Sequence, residues 1–583
     1  MSTKSYYIGL AATFHDPALA IVNPAGEVLF AESTERYMQD KRALNSPPDH
    51  FMRAPQLIKQ YCEPDAELIV AISWRKRWLA ALKIMVNMAN FAARSKWFQT
   101  RFDDWSLEPL WPGPRMRHKW AGGVHALAQA GHNIMGSKLL SQQITLRYYD
   151  HHLTHAANAC YSSPFSEGVC AIVDGYGEWR SCDFFRYQHG KISNLRNWFQ
   201  QDSGLASLGL FYEIVCVLCG FDPFKGEEWK VMGLAAYGQH DPQIYNLLRP
   251  MLTVQGLGLK TKTSVFRANL KALQQFRRKP NSSPFEVVDL AHTGQQVFEE
   301  VMTELLQNLH QQKLSEQLML GGGSALNSTW NGKITQQTGF KTVHIPSAPA
   351  DDGNALGAAL LAYHHDHPQQ AAPQKITLPY LGSSISAERL DNLKKFSQIP
   401  QARCVGEAIY QQTAALLAQG KIIGWIQGRA EFGPRALGNR SILADPRDPD
   451  MPHKINARVK FRESFRPFAP AILHEFGDQY FENYQESPYM ERTLKFKPEV
   501  WAKVPGVVHA NKSGRLQTVK KEWSEKYYRL IKAFYELTDI PILLNTSFNI
   551  MGKPIAHSVE DAIGLFYTTG LDALVIDDYL IEK

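Results

Sequence analysis

His151 and His155 stand four residues apart in His151-His152-Leu153-Thr154-His155. On a helix that spacing puts both imidazoles on one face, where two of them can hold one metal ion. Two aspartates are candidates to complete the set. Asp174 lies where the apolar run Gly168 to Val173 ends, and Asp351 opens Asp351-Asp352-Gly353, between strand-like Thr342 to Ile345 and helical sequence from Asn354. Asp352 competes with Asp351 for the same place. Two imidazoles and two carboxylates form a mixed nitrogen–oxygen set suited to Fe(II), Mn or Zn rather than to a soft metal. The alternative is a pair of helix-capping aspartates and a polar histidine pair. Gly321-Gly322-Gly323, between the short strand Leu318 to Leu320 and helical sequence, is a turn whose backbone can approach a phosphate.

A second constellation is basic. Arg429, Arg435, Arg440, Arg458, Lys460, Arg462 and Arg466 fall within a short span, interleaved with Gly and Pro. A solvated helix face would show acidic partners at i, i+4, and this stretch does not. Forked guanidiniums bind phosphate oxygens in pairs, so a polyphosphate pocket is the preferred reading. An RNA surface is the alternative. It requires exposed aromatics, whereas Phe432, Phe461, Phe465 and Phe468 read as packed beside prolines. Arg515 follows in a polar turn, and Asn545, Ser547 and Asn549 end a strand beginning at Pro541.

Elements must position these groups. Tyr6 to Leu10, Ala18 to Val22 and Val28 to Glu32 predict a β-meander. Gly168 to Val173 and Cys182 to Tyr187 predict a second such opening, suggesting two similar halves around a cleft. Leu290 to Lys313 has helical period, Ser264 to Pro284 reads as a polar surface excursion, and His364 to Gln374 as a linker. Trp78 to Phe98 reads as a cap helix over the cleft. Trp74, Trp97, Trp105 and Trp111 could wall a ligand, with Asp103, Asp104 and Glu108 near them for a cationic group.

The bulk composition narrows the classes. A chain of 583 residues exceeds one hydrophobic core, and 44% hydrophobic with 20% charged residues is ordinary globular composition. A net charge of +7 does not itself indicate nucleic-acid binding. Seven cysteines thinly spread argue for a reducing compartment rather than a disulfide framework. Cys216 and Cys219 lie in apolar sequence and read as buried thiols. No signal peptide opens the sequence and no segment is apolar enough to span a bilayer, so a cytoplasmic protein is expected, without membrane or nucleic-acid partners.

Taken in order, Gly9-Leu10…His15-Asp16, Glu35-Arg36, His151-His152-Leu-Thr-His155-Ala, Asp174-Gly-Tyr-Gly177-Glu178, Lys230-Val-Met-Gly233, Gly321-Gly-Gly-Ser324 and Asp351-Asp-Gly-Asn-Ala-Leu-Gly357 form a series. It resembles the O-carbamoyltransferases of nodulation-factor, cephamycin and tobramycin biosynthesis, with the carbamoyltransferase of saxitoxin-type toxins as a further candidate. The resemblance implies an α/β protein of two parts. Residues 1–363 would form an actin-like ATPase (ribonuclease-H-like) domain, 364–378 a linker, and 379–583 a domain like the threonylcarbamoyl-adenylate synthases (YrdC-like). It further implies His151, His155, Asp174 and Asp351 as metal ligands, His15 as the base facing the acceptor hydroxyl, and Gly322 and Gly323 on nucleotide phosphate. Arg429, Arg435, Lys460, Arg462, Arg466, Arg515, Asn545, Ser547 and Asn549 would hold ATP and carbamoyl phosphate. The cofactors implied are Fe(II) or another divalent metal, with Mg for ATP. The implied acceptor is a small hydroxylated product of secondary metabolism, such as an antibiotic or toxin, and a homodimer is one option for assembly. A tRNA threonylcarbamoyl-type enzyme and a noncatalytic actin-like ATP-binding scaffold are the competing readings.

Overall fold

In the computed structural model, the residues described are 4–77, 126, 128–178, 180–196, 205–368, 376–396 and 402–583. The cap helix expected at Trp78 to Phe98, and the tryptophans and acids that follow it, lie outside them.

The first sheet contains β1 (Ser5–Ala11), β2 (Ala18–Val22), β3 (Val28–Ser33), β4 (Glu67–Ile72) and β5 (Ile144–Tyr148), in the order β3-β2-β1-β4-β5. β1 to β3 form the antiparallel meander, and β4 and β5 continue it in parallel. The second sheet repeats this plan with β6 (Glu167–Gly177), β7 (Arg180–Gln188) and β8 (Lys191–Asn194). A two-stranded hairpin, β9 (Thr253–Gln255) and β10 (Gly258–Lys260), precedes its parallel pair, β11 (Gln317–Gly321) and β12 (Thr342–His344). Its order, β12-β11-β6-β7-β8, read from the other edge is the same meander followed by two parallel strands. The two openings in the sequence are thus two copies of one unit.

Helices pack between the sheets, which is why β1 and β4 are apolar on both faces rather than alternating. The helix Asn354–Asp366 touches β1 closely. A Cβ on Gly9 would stand 1.8 Å from the Ala355 carbonyl oxygen, and one on Gly357 would stand 1.9 Å from that of Thr154. These two glycines let a strand and two helices converge on one point.

The second half is built on one nine-stranded sheet from β13 (Arg403–Cys404), β14 (Ile423–Ile426), β15 (Arg440–Ala444), β16 (Ala469–Leu473), β17 (Arg492–Lys495), β18 (Ser513–Val519), β19 (Ile542–Ser547), β20 (Ala573–Ile576) and β21 (Tyr579–Glu582). Its core is a separate apolar cluster that includes Trp425, Tyr527 and Phe534. The α/β class expected for both parts is the observed one.

Two element readings need correction. The segment read as a polar excursion holds the helix Thr263–Leu273, which buries Phe266, Leu270 and Leu273. That apolar row is three residues wide, and the basic residues around it hid the period. The expected linker begins too early: the helix runs to Asp366, His364 stacks on Tyr161 at 4.1 Å, and His367 stacks on Tyr363 at 4.5 Å. All seven cysteines are free, with Cys216 and Cys219 buried as read. No helix among the described residues is long and apolar enough to cross a membrane.

Candidate functional site

The helix His151–Tyr161 follows β5. Its first turn is closed by Asp150, whose carboxylate accepts the Leu153 N–H at 3.0 Å. His151 and His155 then project from one face toward Asp174 on β6 and Asp351 at the turn before Asn354. His151 Nε2 lies 3.4 Å from Asp174 Oδ2 and 3.6 Å from Asp351 Oδ1; His155 Nε2 lies 3.5 Å and 3.3 Å from the same atoms. All four residues are buried, with their donor atoms within 4.8 Å of one another. Asp174 Oδ1 accepts the Gly323 N–H at 2.8 Å, which fixes that carboxylate.

These residues fit a divalent cation. Burial would lower both histidines, yet the facing carboxylates outweigh it and raise them, His151 to about 10. Burial would raise Asp174, but the imidazoles hold it below the ordinary carboxylate range. The pair of carboxylates therefore demands positive charge at this spot, and a metal would take the place of the imidazole protons. The two neighbouring aspartates face different ways. Asp351 faces the imidazoles, whereas Asp352 turns to Ser33 Oγ at 3.0 Å and is pushed by burial to about 7.

His15 sits at the rim of this cluster. Its Nδ1 is 2.9 Å from Asp16 Oδ2 and 3.8 Å from Asp351 Oδ2. Asp16 is itself held by Arg42, through Nε at 3.1 Å and Nη2 at 3.0 Å. Sequence reasoning missed Arg42, and it missed Glu213 and Glu228, which approach the same rim. Arg42 Nη1 is 3.9 Å from Glu228 Oε1, and burial pushes Glu213 to about 7. No spacing distinguishes these acids from ordinary helix residues. In the glycine turn, the Gly323 N–H donates to Asp174, and Gly322, at φ 88°, passes so near β6 that a Cβ would meet the Val173 oxygen at 2.3 Å.

The basic pocket lies in the second half. Lys460 is buried, and its Nζ donates to Asn549 Oδ1 at 2.7 Å and to Ser547 Oγ at 3.2 Å. Arg462 donates to Asn456 Oδ1 at 2.8 Å, and among the described residues its buried Nη2 and the Nε groups of Arg466 and Arg515 find no hydrogen-bond partner. Asn545 donates to Gln517 at 2.9 Å and leaves its buried Oδ1 unpartnered. Among the described residues no acid acts on Arg435, which feels Arg515. Burial, then that repulsion, drive it well below its ordinary value, and Lys460 is lowered the same way by burial and by Arg462, Arg466 and Lys41. Burial and its cationic neighbours bring Arg462 to about 9, and burial brings Arg515 to about 10. Cations packed together with orphaned donors form a receptor for anions.

Arg429 is not among them. Its guanidinium donates to the carbonyls of Gly382 at 3.0 Å, of Leu29 at 2.7 Å and of Leu381, tying the two halves together. Lys41, which the sequence did not single out, reaches the pocket from the first half. The aromatics are not all packed as read: Phe432, Phe465 and Phe468 are buried, but Phe461 is exposed.

Two family models match this chain: "Carbamoyltransferase N-terminus" over residues 125–360 and "Carbamoyltransferase C-terminus" over residues 414–583. The chain belongs to the carbamoyltransferase family. An uncharacterised protein of Synechocystis sp. is 31% identical, with 99% of this chain and 97% of that protein covered. Nodulation protein NolO of Bradyrhizobium diazoefficiens is 35% identical, with 74% of this chain and 79% of that protein covered, and Nodulation protein U of Sinorhizobium fredii is 27% identical over 94% of each. Likeness to solved structures is slight: full-length HypF in a phosphate- and nucleotide-bound form aligns over 64% of this chain and 56% of its own, at TM-score 0.36 and 11% identity. The protein is a carbamoyltransferase, with its two matched segments carrying the two sites described.

Proposed function

We propose that this carbamoyltransferase activates carbamoyl phosphate with ATP in the basic pocket and delivers the carbamoyl group to a hydroxyl of a small molecule at the histidine–aspartate cluster. The observation that carries this reading is the helix Glu228–Leu234, which contacts both sites. Glu228 lies beside Arg42 at the rim of the cluster. The next two residues reach the pocket: Arg466 stacks on Trp229 at 4.3 Å, and Lys230 Nζ bonds Glu463 at 2.9 Å.

In the pocket, water splits carbamoyl phosphate into carbamate and phosphate. A carbamate oxygen then bonds the α-phosphorus of ATP, giving carbamoyl adenylate and pyrophosphate. Arg435, Lys460, Arg462, Arg466 and Arg515 neutralise charge on the transferring phosphates, the main lever in such chemistry. Carbamoyl adenylate is prone to hydrolysis, which favours sites that share one seam.

At the cluster, His151, His155, Asp174 and Asp351 would hold a divalent cation, which would supply Lewis acidity toward the carbamoyl group. With Nδ1–H directed at Asp16, His15 presents the lone pair of Nε2. That atom takes the acceptor's hydroxyl proton as the alcohol oxygen bonds the carbamoyl carbon and AMP leaves. Glu213 and Glu228 place carboxyl groups at the rim that can bond the hydroxyl or amine groups of a polar natural product. The test combines purified enzyme, Fe(II), ATP and carbamoyl phosphate. Pyrophosphate should appear only when carbamoyl phosphate is present, and a panel of hydroxylated compounds should gain one carbamoyl mass. Pyrophosphate release independent of carbamoyl phosphate would refute the donor half.

A further inference from the structure

Phe461 combines three features rarely found together. It stands between two pocket cations, Lys460 and Arg462, yet is 51% exposed where they are buried or partly so. Its backbone is left-handed, at φ 49° and ψ 53°, a conformation that a bulky side chain seldom adopts. And it ends a single π-helical turn, Asn456–Lys460, an irregularity that recurs at functional sites. Core packing does not explain the placement, because the ring is not in the core. Among the described residues no ring or cation lies on its face, in contrast to Phe468, which Arg462 covers at 4.6 Å. A second exposed apolar residue is tied to the adjoining backbone, and its sulfur lies 4.0 Å from Arg466 Nη2. Met551 is 50% exposed, and its N–H bonds the Lys460 carbonyl at 3.2 Å.

Resting on the donor reading above, we propose that Phe461, with Met551 beside it, is the base platform of the ATP site. Phosphates alone require only the cations. A nucleobase needs a flat apolar face, and stacking on an aromatic ring supplies it. The lysine and arginine on either side would then hold the triphosphate while the left-handed turn between them presents the ring to the base. Within the basic stretch, Phe461 is the one exposed aromatic among the described residues, which fits a mononucleotide. A nucleic-acid strand would use a row of such rings along a basic groove, and Phe432, Phe465 and Phe468 are buried.

The test is carbamoyl-phosphate-dependent exchange of label between pyrophosphate and ATP, catalysed by the full chain. Phe461→Asn removes the ring while keeping a residue that tolerates the left-handed backbone, and Phe461→Trp keeps an aromatic face. Loss of one stacked base should raise the KM for ATP on the order of tenfold in Phe461→Asn. The KM for pyrophosphate, which has no base, should hold, and Phe461→Trp should restore the wild-type ATP value. An unchanged ATP KM in a Phe461→Asn enzyme with normal exchange overturns the platform alone. Equal increases in both KM values also overturn it, because the effect then belongs to the phosphate cations. Absence of exchange in the wild-type chain overturns the donor reading and the platform with it.

Discussion

Asp351 and Asp352 are chemically identical neighbours with opposite surroundings, and each makes a prediction. In metal-stripped protein titrated with Fe(II) or Mn in a calorimeter, Asp351→Asn should weaken binding on the order of a hundredfold or more, since it removes a facing carboxylate. Asp352→Asn should leave affinity nearly unchanged, because its partner is the Ser33 hydroxyl at 3.0 Å. Support from behind the ligands should be smaller but measurable. Asp150 caps the histidine helix and pairs with Arg75 at 2.8 Å, so Asp150→Asn should cost about tenfold in metal affinity. The histidine pair and Asp174 were legible in the sequence because helical spacing and a strand end are local facts. The choice between Asp351 and Asp352 was not, because it depends on how one tight turn is rotated against two distant elements. Arg429 shows the same limit: in a glycine-rich stretch, a guanidinium that binds carbonyls and one that awaits phosphate look alike.

Among elements, the contact between the histidine helix and the helix Asn354–Asp366 controls where Asp351 stands relative to His151 and His155. Gly357 makes that contact possible. Gly357→Ala would drive a methyl group into the Thr154 carbonyl, so the helices must separate. Overpacking of this kind typically costs about 1–3 kcal/mol. The expected outcome is a lower thermal unfolding midpoint together with weaker metal binding; a variant with unchanged midpoint and affinity would show that the helices are less tightly constrained than their geometry indicates. The two meander openings were readable because alternating and continuous apolar runs mark strands within the chain itself, whereas the parallel strands β4 and β5 were not read. The helix Thr263–Leu273 was not, since Phe266, Leu270 and Leu273 acquire meaning only against the core that receives them.

For the whole molecule, the seam between the halves is polar and buried. Glu32 on β3 accepts the Ser383 N–H at 2.9 Å and faces His557 at 3.4 Å and Arg53 at 3.5 Å. Burial alone would raise this carboxyl, but His557 and Arg53 outweigh it and hold it below its ordinary value. Its stabilising contribution is therefore complete above the free value of 4.5 and is lost as pH falls below it. Glu32→Gln should lower unfolding free energy at pH 7 on the order of 2 kcal/mol, with a smaller difference from wild type at pH 4. The contacts of Glu32 with Ser383 and His557 show no sequence pattern, because these partners lie hundreds of residues away. The same seam lies between the two sites to which separate tasks are proposed, and that division is the centre of the account. The most direct measurement is carbamoyl-phosphate-dependent ATP–pyrophosphate exchange in the wild type, His151→Ala and Arg435→Ala, each checked for folding. Exchange should persist in His151→Ala and fall at least tenfold in Arg435→Ala, as expected from losing a charge-assisted phosphate contact of about 2 kcal/mol. Loss of exchange in a folded His151→Ala, or normal exchange in Arg435→Ala, would contradict it.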